Sequence, residues 1–193
     1  MNICLAAKND VSEIAKIHEE EIKEGFLSSL KTAFLRKFYE AIVDSKDSFC
    51  IVAREGNIVT GFVSGVADIN IFYNYFFKNY FFILIPVFLP KIFDFNIIKK
   101  VVENIFYPKK TKNFPSAELL TMAVKREFQG KGTGSHLLQR FVSEMEKRQI
   151  KIFKVLVGKE MDALNFYKKN GFQQIEEINL HGDESSIVLI YKT

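Results

Sequence analysis

Two periodic patterns alternate along the chain. Short apolar runs with strand-like spacing end at polar or turn residues, and longer segments repeat apolar residues at helical spacing. The runs predict strands, and the best candidates are residues 2–7, 49–54, 58–66, 118–124, 152–157, 172–180 and 186–191. Glu55, Gly56 and Asn57 predict a tight hairpin turn, because glycine and asparagine tolerate left-handed backbone angles.

The helical pattern occurs in four places around these strands. Asp10 and Glu13 have the spacing of a capping box and predict a helix that begins there. A second helix is predicted after Ser29, a third from the glycine-rich residues 129–134 through 148, and a fourth over 161–170, where Gly171 would end it. The resulting order is β-α-α-β-β, an interruption, and then β-α-β-α-β-β, which is typical of a mixed α/β domain.

The interruption is a segment of unusual composition, residues 68–115. Residues 68–117 hold seven lysines and three acidic residues, together with 14 of the 27 aromatic residues, so they carry the whole net charge of +4. Their aromatic residues do not alternate as in a strand. We expect helices here, broken near Pro86, Pro90 and Pro108.

Composition and the remaining residues exclude several classes of protein. A chain of 193 residues corresponds to about one domain of ~150 residues, and 48% apolar with 26% charged residues argues against disorder, collagen and coiled coil. Cys4 and Cys50 lie in apolar runs, which predicts buried thiols in a reducing compartment. No signal peptide or spanning segment is evident, so we expect a cytoplasmic protein. The histidines, His18, His136 and His181, are scattered, so we expect no metal site and give none of them a role.

The glycine-rich turn at residues 129–134 carries the most specific signal. It lies between a predicted strand and a predicted helix, where glycines let backbone N–H groups and the positive helix end surround a diphosphate. The P-loop pattern is absent, and Ser135 stands where a dinucleotide fingerprint needs its last glycine. Gln129, Gly132 and Gly134 instead fill the pattern Q/R-x-x-G-x-G/A. The alternative is a glycine turn that binds no ligand.

With this turn, the chain resembles the GNAT superfamily of acetyl-CoA-dependent N-acetyltransferases. A second motif, residues 163–172, is similar to the family's A-x-x-[FL]-Y-x-x-x-G-F. The resemblance implies an α/β (α+β) fold with a mixed, mostly antiparallel and splayed sheet of six to seven strands, flanked by about four helices. It also implies one GNAT domain over residues 1–193, with residues 68–115 as a largely helical insertion subdomain between strands 3 and 4.

The resemblance also implies a binding site for acetyl-CoA, without a metal. The backbone of Met122, Ala123 and Val124 would pair with the pantetheine arm, and Phe166 would pack beside it. Lys125, Arg126 and Lys131 are candidates for charged contacts to the phosphates. The phosphate loop would comprise Gln129, Gly130, Lys131, Gly132, Thr133, Gly134 and Ser135.

Two catalytic residues follow from the same resemblance. Glu118 would act as general base for the amine, and Tyr167 as general acid beside the sulfur. The oxyanion donor would be a backbone N–H near Ala123 or Val124, where the family's strand carries a bulge. The alternatives are that Glu118 is solvated or caps a helix, and that Tyr167 only packs against the sheet.

The sequence therefore predicts an N-acetyltransferase that transfers acetyl directly from acetyl-CoA to a primary amine, such as a small molecule or an amino sugar. The alternatives are a non-catalytic CoA-binding or interaction module, and a membrane-surface acyltransferase that uses the basic aromatic segment. That segment could pack on itself, form a wall of the acceptor site, form a homodimer interface or attach to a membrane surface. Nucleic acid is the least favoured partner, since no motif for it is visible.

Overall fold

The fold is described from a computed structural model that covers residues 1–23, 27, 32–88, 113–159, 163–181 and 184–193. Among these residues are seven strands and five α-helices. The strands are β1 (Asn2–Leu5), β2 (Ser48–Glu55), β3 (Ile58–Val66), β4 (Glu118–Val124), β5 (Ile152–Gly158), β6 (Gln173–His181) and β7 (Glu184–Lys192). The helices are α1 (Val11–Glu21), α2 (Thr32–Asp44), α3 (Ile69–Phe88), α4 (Thr133–Lys147) and α5 (Ala163–Lys169).

All seven strands form one sheet in the order β1-β2-β3-β4-β5-β7-β6. Every pair is antiparallel except β4 and β5, which run parallel. One apolar core lies between the sheet and α1, α2 and α3, and a second lies between the opposite face and α4 and α5. The predicted mixed, mostly antiparallel sheet is confirmed, and the five helices exceed the four located by periodicity because α3 lies in the interrupting segment.

The parallel pair β4–β5 separates soon after it begins. Its register has only two positions, Glu118 opposite Lys154 and Leu119 opposite Val155. Beyond them β4 stays paired with β3 as far as Val124, and β5 stays paired with β7. The splay expected from the family resemblance is therefore present, and none of the described strands pairs with the second half of β4 on its β5 side.

The bulge in β4 lies closer to this separation than we expected. Thr121 pairs with Ser64 and Leu119 pairs with Gly65, so Leu120 is the extra residue. The expected bulge near Ala123 or Val124 is wrong, because both residues are in regular register with β3. Gly65 accommodates the bulge: a Cβ there would lie 2.8 Å from the Glu118 carbonyl oxygen and 2.5 Å from the Phe141 ring.

The beginning of α1 also differs from the prediction. The Asp10 carboxylate makes no cap bond to the helix; it accepts the Ala7 N–H at 2.8 Å and forms an ion pair with Arg54. Glu13 pairs with Lys125 next to β4 (2.6 Å) instead of closing a capping box. Both acidic residues therefore connect α1 to the sheet. An ion pair with a lysine or arginine stabilises a carboxylate more than a hydrogen bond from an exposed backbone N–H does.

The interrupting segment begins with α3, which is part of the core. Asp68 Oδ1 accepts the N–H groups of Asn70 and Ile71, so Asp68 caps the helix. Phe72 and Phe76 are buried and pack edge-on against Phe38 of α2, at 5.8 Å between ring centres. These two rings are therefore unavailable for insertion into a membrane or for covering a partner.

Proline has a smaller effect on α3 than we predicted. The helix continues through Pro86 to Phe88, so the expected break near Pro86 is wrong. A proline in the last turn removes only one helical hydrogen bond, and the turn can tolerate that loss. Pro90 and Pro108 lie outside the described residues. None of the described helices, α3 included, has the length and apolarity that crossing a bilayer requires.

The two cysteines differ in their exposure. Cys50 is buried, as predicted, and burial raises the pKa of its thiol well above the usual value. Cys4 is only half-buried, so the prediction of a buried thiol is wrong for it. It lies on β1, which is the edge strand of the sheet formed by the described residues, so only one side of the strand is paired.

Candidate active site

The glycine-rich turn leads from the end of β4 into α4. Gly130 and Gly132 have φ values of 71° and 81°, in the left-handed region where L-residues are strained. Gly132 is the N-cap of α4, and no side chain in the described parts of the chain caps this end of the helix. The first intrahelical bond runs from the His136 N–H to the Gly132 oxygen (3.1 Å). The N–H groups of Thr133, Gly134 and Ser135 therefore have no acceptor in the helix and suit an anion.

Three of the predicted binding residues meet at the opening between β4 and β5. A Cβ at Gly134 would lie 3.4 Å from Met122 Cε and 3.5 Å from Phe166 Cε2. The lack of a side chain at Gly134 thus leaves a narrow space between β4, the first turn of α4 and α5. Met122 and Phe166 are both half-buried, so they line this space without filling the core.

Ala123 and Val124 differ in the direction in which their backbone N–H and carbonyl groups point. The Lys125 N–H donates to the Thr60 oxygen of β3 (2.9 Å), and bonding directions alternate along an antiparallel strand. Ala123 therefore directs its N–H towards β3, and Val124 directs its N–H and carbonyl towards the opening. Gln129 Nε2 donates to the Val124 oxygen (2.8 Å), which agrees with that direction. Of the two predicted oxyanion donors, only Val124 faces the opening.

Glu118 begins β4 in a buried ion pair. Its carboxylate Oε2 lies 3.1 Å from Lys154 Nζ, and the two side chains are 6% and 1% exposed. Lys154 Nζ also donates to the Pro115 oxygen (2.6 Å). Burial first, and the Glu118 charge second, raise the pKa of the Tyr73 phenol on α3. The alternative of a solvated or helix-capping Glu118 is therefore wrong.

Tyr167 lies in α5 beside the residues that line the opening. Its ring packs edge-on against Phe166 at 5.4 Å and against Phe172 at 5.1 Å. It is 7% exposed, and burial raises the pKa of its phenol well above the ordinary value. The hydroxyl is therefore protonated at neutral pH, as a proton or hydrogen-bond donor must be.

The three basic residues near the turn do not form one phosphate-binding cluster. Lys125 is held by Glu13 in an ion pair and its side chain is only 14% exposed. Arg126 is exposed, and its backbone N–H donates to Glu21 Oε1 (3.0 Å). Lys131 is exposed and lies 5.5 Å from the centre of the Phe128 ring. The structure therefore removes Lys125 from the candidates and leaves Arg126 and Lys131.

A buried chain of polar side chains was missed by the sequence analysis, which gave His18 no role. His18 Nδ1 is hydrogen-bonded to the Tyr39 hydroxyl (2.6 Å), Tyr39 to Thr121 Oγ1 (3.0 Å), and Thr121 to Ser64 Oγ (2.6 Å). The sequence did contain an indication of this buried chain, because His18 lies on the apolar face of α1, where a polar residue is unusual. Lys154 within an apolar strand carried a similar signal.

The other two histidines add nothing to the site. His136 is exposed on α4. The side chain of His181, and the turn residues 182–183 that follow it, lie outside the described residues. In the described parts of the chain, no group of three His, Cys, Asp or Glu residues is arranged to hold a metal ion.

Comparison with known proteins agrees with this geometry. Residues 96–174 match the family model described as an acetyltransferase (GNAT) domain, which includes β4, the glycine turn, α4, β5 and α5. No curated protein sequence matches the chain significantly.

Solved structures match almost the whole chain at low sequence identity. A ribosomal-protein-alanine N-acetyltransferase from Brucella melitensis has a TM-score of 0.64 at 12% identity, covering 100% of both chains. The paia N-acetyltransferase from Thermoplasma acidophilum, in complex with coenzyme A, has a TM-score of 0.61 at 18% identity, covering 100% of both chains. YncA, a putative acetyltransferase from Salmonella typhimurium with its cofactor acetyl-CoA, has a TM-score of 0.61 at 15% identity, covering 99% of this chain and 92% of that one. Residues 96–174 thus match the GNAT acetyltransferase domain model, and nearly the whole chain shares the fold of these acetyltransferase structures.

Proposed function

We propose that this protein transfers the acetyl group of acetyl-CoA directly to a primary amine, on a small molecule or an amino sugar. One observation carries the proposal: β4 and β5 separate after two paired positions, and the unpaired edge of β4 leads to the uncapped first turn of α4. An extended ligand with amide groups and a diphosphate at one end matches both features, because strand edges bind amides and helix N-termini bind phosphates.

The residues around this opening fit acetyl-CoA. The N–H groups of Thr133, Gly134 and Ser135 would receive the diphosphate, and the left-handed Gly132 gives them their direction. The β4 edge at Met122 and Val124 would pair with the pantetheine arm, with Phe166 packed beside it. Acetyl-CoA would supply a thioester-activated acetyl group.

Three groups of the chain have roles in this proposal. The amine nitrogen bonds to the acetyl carbon as the carbon–sulfur bond breaks, and Glu118 takes the proton that the nitrogen loses, directly or through water. The Val124 N–H faces the opening and would donate to the carbonyl oxygen as negative charge develops there. Tyr167 would donate its proton to the leaving sulfur.

The start of α3 favours a small substrate over a long peptide. The Ile69 N–H donates to the Ser116 oxygen (3.0 Å), so α3 begins beside the residues that lead into β4 and would restrict access to Glu118 from that side. A protein amino terminus is the second candidate, because similar structures include ribosomal-protein-alanine N-acetyltransferases from Escherichia coli and Brucella melitensis. A non-catalytic CoA-binding module remains the alternative outside enzymes.

Two measurements on the purified protein test the proposal. Calorimetry with acetyl-CoA should show saturable binding, and release of free thiol should depend on an added amine. The amine panel should contain amino sugars, small amines, amino acids and peptides that begin with alanine. Binding without thiol release across the panel would favour the non-catalytic module, and absence of binding would refute the proposal.

Replacing Gly132 with alanine is expected to weaken acetyl-CoA binding about ten-fold. An L-residue at this φ of 81° costs roughly 1–2 kcal/mol, and the backbone can relieve the strain only by turning the amides of α4 away. Gly56→Ala is the matched control, since Gly56 has a φ of 58° in the β2–β3 turn and space for a Cβ. Both variants should lose similar stability in urea unfolding. Equal calorimetric affinities would contradict the proposed role of the turn.

A further inference from the structure

The buried polar chain His18–Tyr39–Thr121–Ser64 connects two helices to the middle of the sheet. His18 lies on α1, Tyr39 on α2, Thr121 on β4 and Ser64 on β3, and all except Thr121 are fully buried. His18 Nε2 is itself buried and has no hydrogen-bond partner among the described residues. An unpartnered buried nitrogen is costly, so retaining histidine here calls for a reason other than stability.

Thr121 is the member of this chain that lies at the candidate active site. It is half-buried, it follows the bulge residue Leu120, and it lies two residues beyond the last β4–β5 pair. Its hydroxyl points towards α1 and α2, because it bonds to Tyr39. Thr121 therefore lies where β4 leaves β5, with its oxygen on the same side of the sheet as the first core.

The hydrogen-bond directions define what Thr121 can offer a ligand. Burial lowers the pKa of His18 to about 4, so its ring is neutral and has one donor and one acceptor nitrogen. If Nδ1 accepts, Tyr39 donates to His18, Thr121 donates to Tyr39 and Ser64 donates to Thr121. If Nδ1 donates, Tyr39 donates to Thr121, and either of the Thr121 and Ser64 hydroxyls can donate to the other. Whenever Thr121 donates inside the protein, its oxygen keeps a free lone pair, and this is the state that can accept a hydrogen bond from a ligand.

The same pKa argues against storage of the substrate proton on His18. At pH 7 a group with a pKa of about 4 is protonated only about one time in a thousand. The chain can orient a group but cannot hold the proton that the amine loses.

We propose that Thr121 Oγ1 accepts an N–H hydrogen bond from the acceptor amine and so turns the nitrogen lone pair towards the thioester, with Tyr39 and His18 as positioning residues. This inference rests on the proposed function and adds a substrate contact to it. A primary amine suits an acceptor-only oxygen, because it keeps an N–H after giving up a proton. An alcohol has a single O–H and would have none left, so Thr121 would favour N-acetylation over O-acetylation.

The test compares variants at Thr121 with a matched threonine. Thr121→Val keeps the side-chain shape and removes the hydroxyl, whereas Thr121→Ser keeps it. Thr60→Val is the control, since Thr60 is buried on the neighbouring strand and its hydroxyl donates to the Ala53 oxygen (3.2 Å). With an accepted amine, we expect Thr121→Val to lower kcat/KM about ten-fold, the usual order for one hydrogen bond. Acetyl-CoA affinity should stay within about two-fold.

The kcat/KM values of Thr121→Ser, Tyr39→Phe and Thr60→Val decide the test. Thr121→Ser should recover kcat/KM to within about three-fold, Tyr39→Phe should lower it about five-fold, and Thr60→Val should leave it unchanged. The proposal is overturned if Thr121→Val keeps normal kcat/KM, or if Thr121→Ser falls as far as Thr121→Val. Failure of the wild-type protein to bind acetyl-CoA would instead refute the proposed function, and this inference with it.

Discussion

Replacing Lys154 with methionine is expected to destabilise the folded protein by about 3–5 kcal/mol, the range for breaking a buried ion pair. Lys154 has no exposed surface, and its ammonium bonds to Glu118 and to the Pro115 oxygen. Methionine fills most of the same volume but supplies no charge. The Glu118 carboxylate, whose side chain is only 6% exposed, would then lack its ammonium. Urea unfolding measures the change in free energy.

An exposed ion pair at the end of the same strand provides the control. Lys159 Nζ lies 2.9 Å from Glu177 Oε1, with side chains 55% and 39% exposed. Lys159→Met should cost less than about 1 kcal/mol, because water screens exposed charges. Adding Glu118→Gln to Lys154→Met should restore part of the lost stability, since the double variant buries no charge here. A loss below 1 kcal/mol for Lys154→Met would show that the buried pair is not important for stability.

The ion pair also determines how the predicted base can be tested. Glu118→Gln alone leaves the Lys154 ammonium buried without a carboxylate, so a loss of activity could reflect misfolding around β4 and β5. The double variant Glu118→Gln with Lys154→Met removes both charges together. Its kcat, measured at a temperature where the variant is fully folded, separates proton transfer from stability.

The local pattern of apolar and polar residues predicted most of the fold and the glycine turn of the candidate site. Strand alternation and helical spacing are properties of a few neighbouring residues, and both located their elements to within a few positions. The glycine turn was predictable for the same reason: Gln129, Gly132 and Gly134 are close in sequence, and each has its own backbone requirement. Met122 and Phe166 are 44 positions apart in the chain, so no local pattern links them. They became candidate binding residues through the resemblance to the family.

The acceptor side depends on contacts between distant residues. His18 and Tyr39 are 21 positions apart, and Tyr39 and Thr121 are 82 apart. Nothing in a local window pairs a histidine on α1 with a threonine on β4, or Lys154 with Glu118. The bulge at Leu120 likewise follows from how β3 and β4 align. A polar residue at an apolar position indicates that such contacts exist, but only the fold identifies the partner.

Replacing Tyr167 with phenylalanine is expected to lower kcat about a hundred-fold, at the lower end of the usual contribution of an acid catalyst. Acetyl-CoA affinity should change less than about three-fold, because the ring contacts with Phe166 and Phe172 are kept. Since burial raises the pKa of Tyr167, its hydroxyl remains protonated throughout the neutral range and gives up its proton only as charge develops on sulfur. Stopped-flow detection of thiol release at saturating substrates measures the step directly.

The same aromatic cluster contains a tyrosine for comparison. Tyr191 of β7 packs against Phe172 at 5.1 Å, and Phe172 in turn packs against Tyr167. Tyr191→Phe makes the same chemical change within the same cluster, so any general effect on packing should appear in both variants. If Tyr167→Phe keeps kcat within about three-fold of Tyr191→Phe, Tyr167 is a packing residue, and solvent must protonate the leaving sulfur.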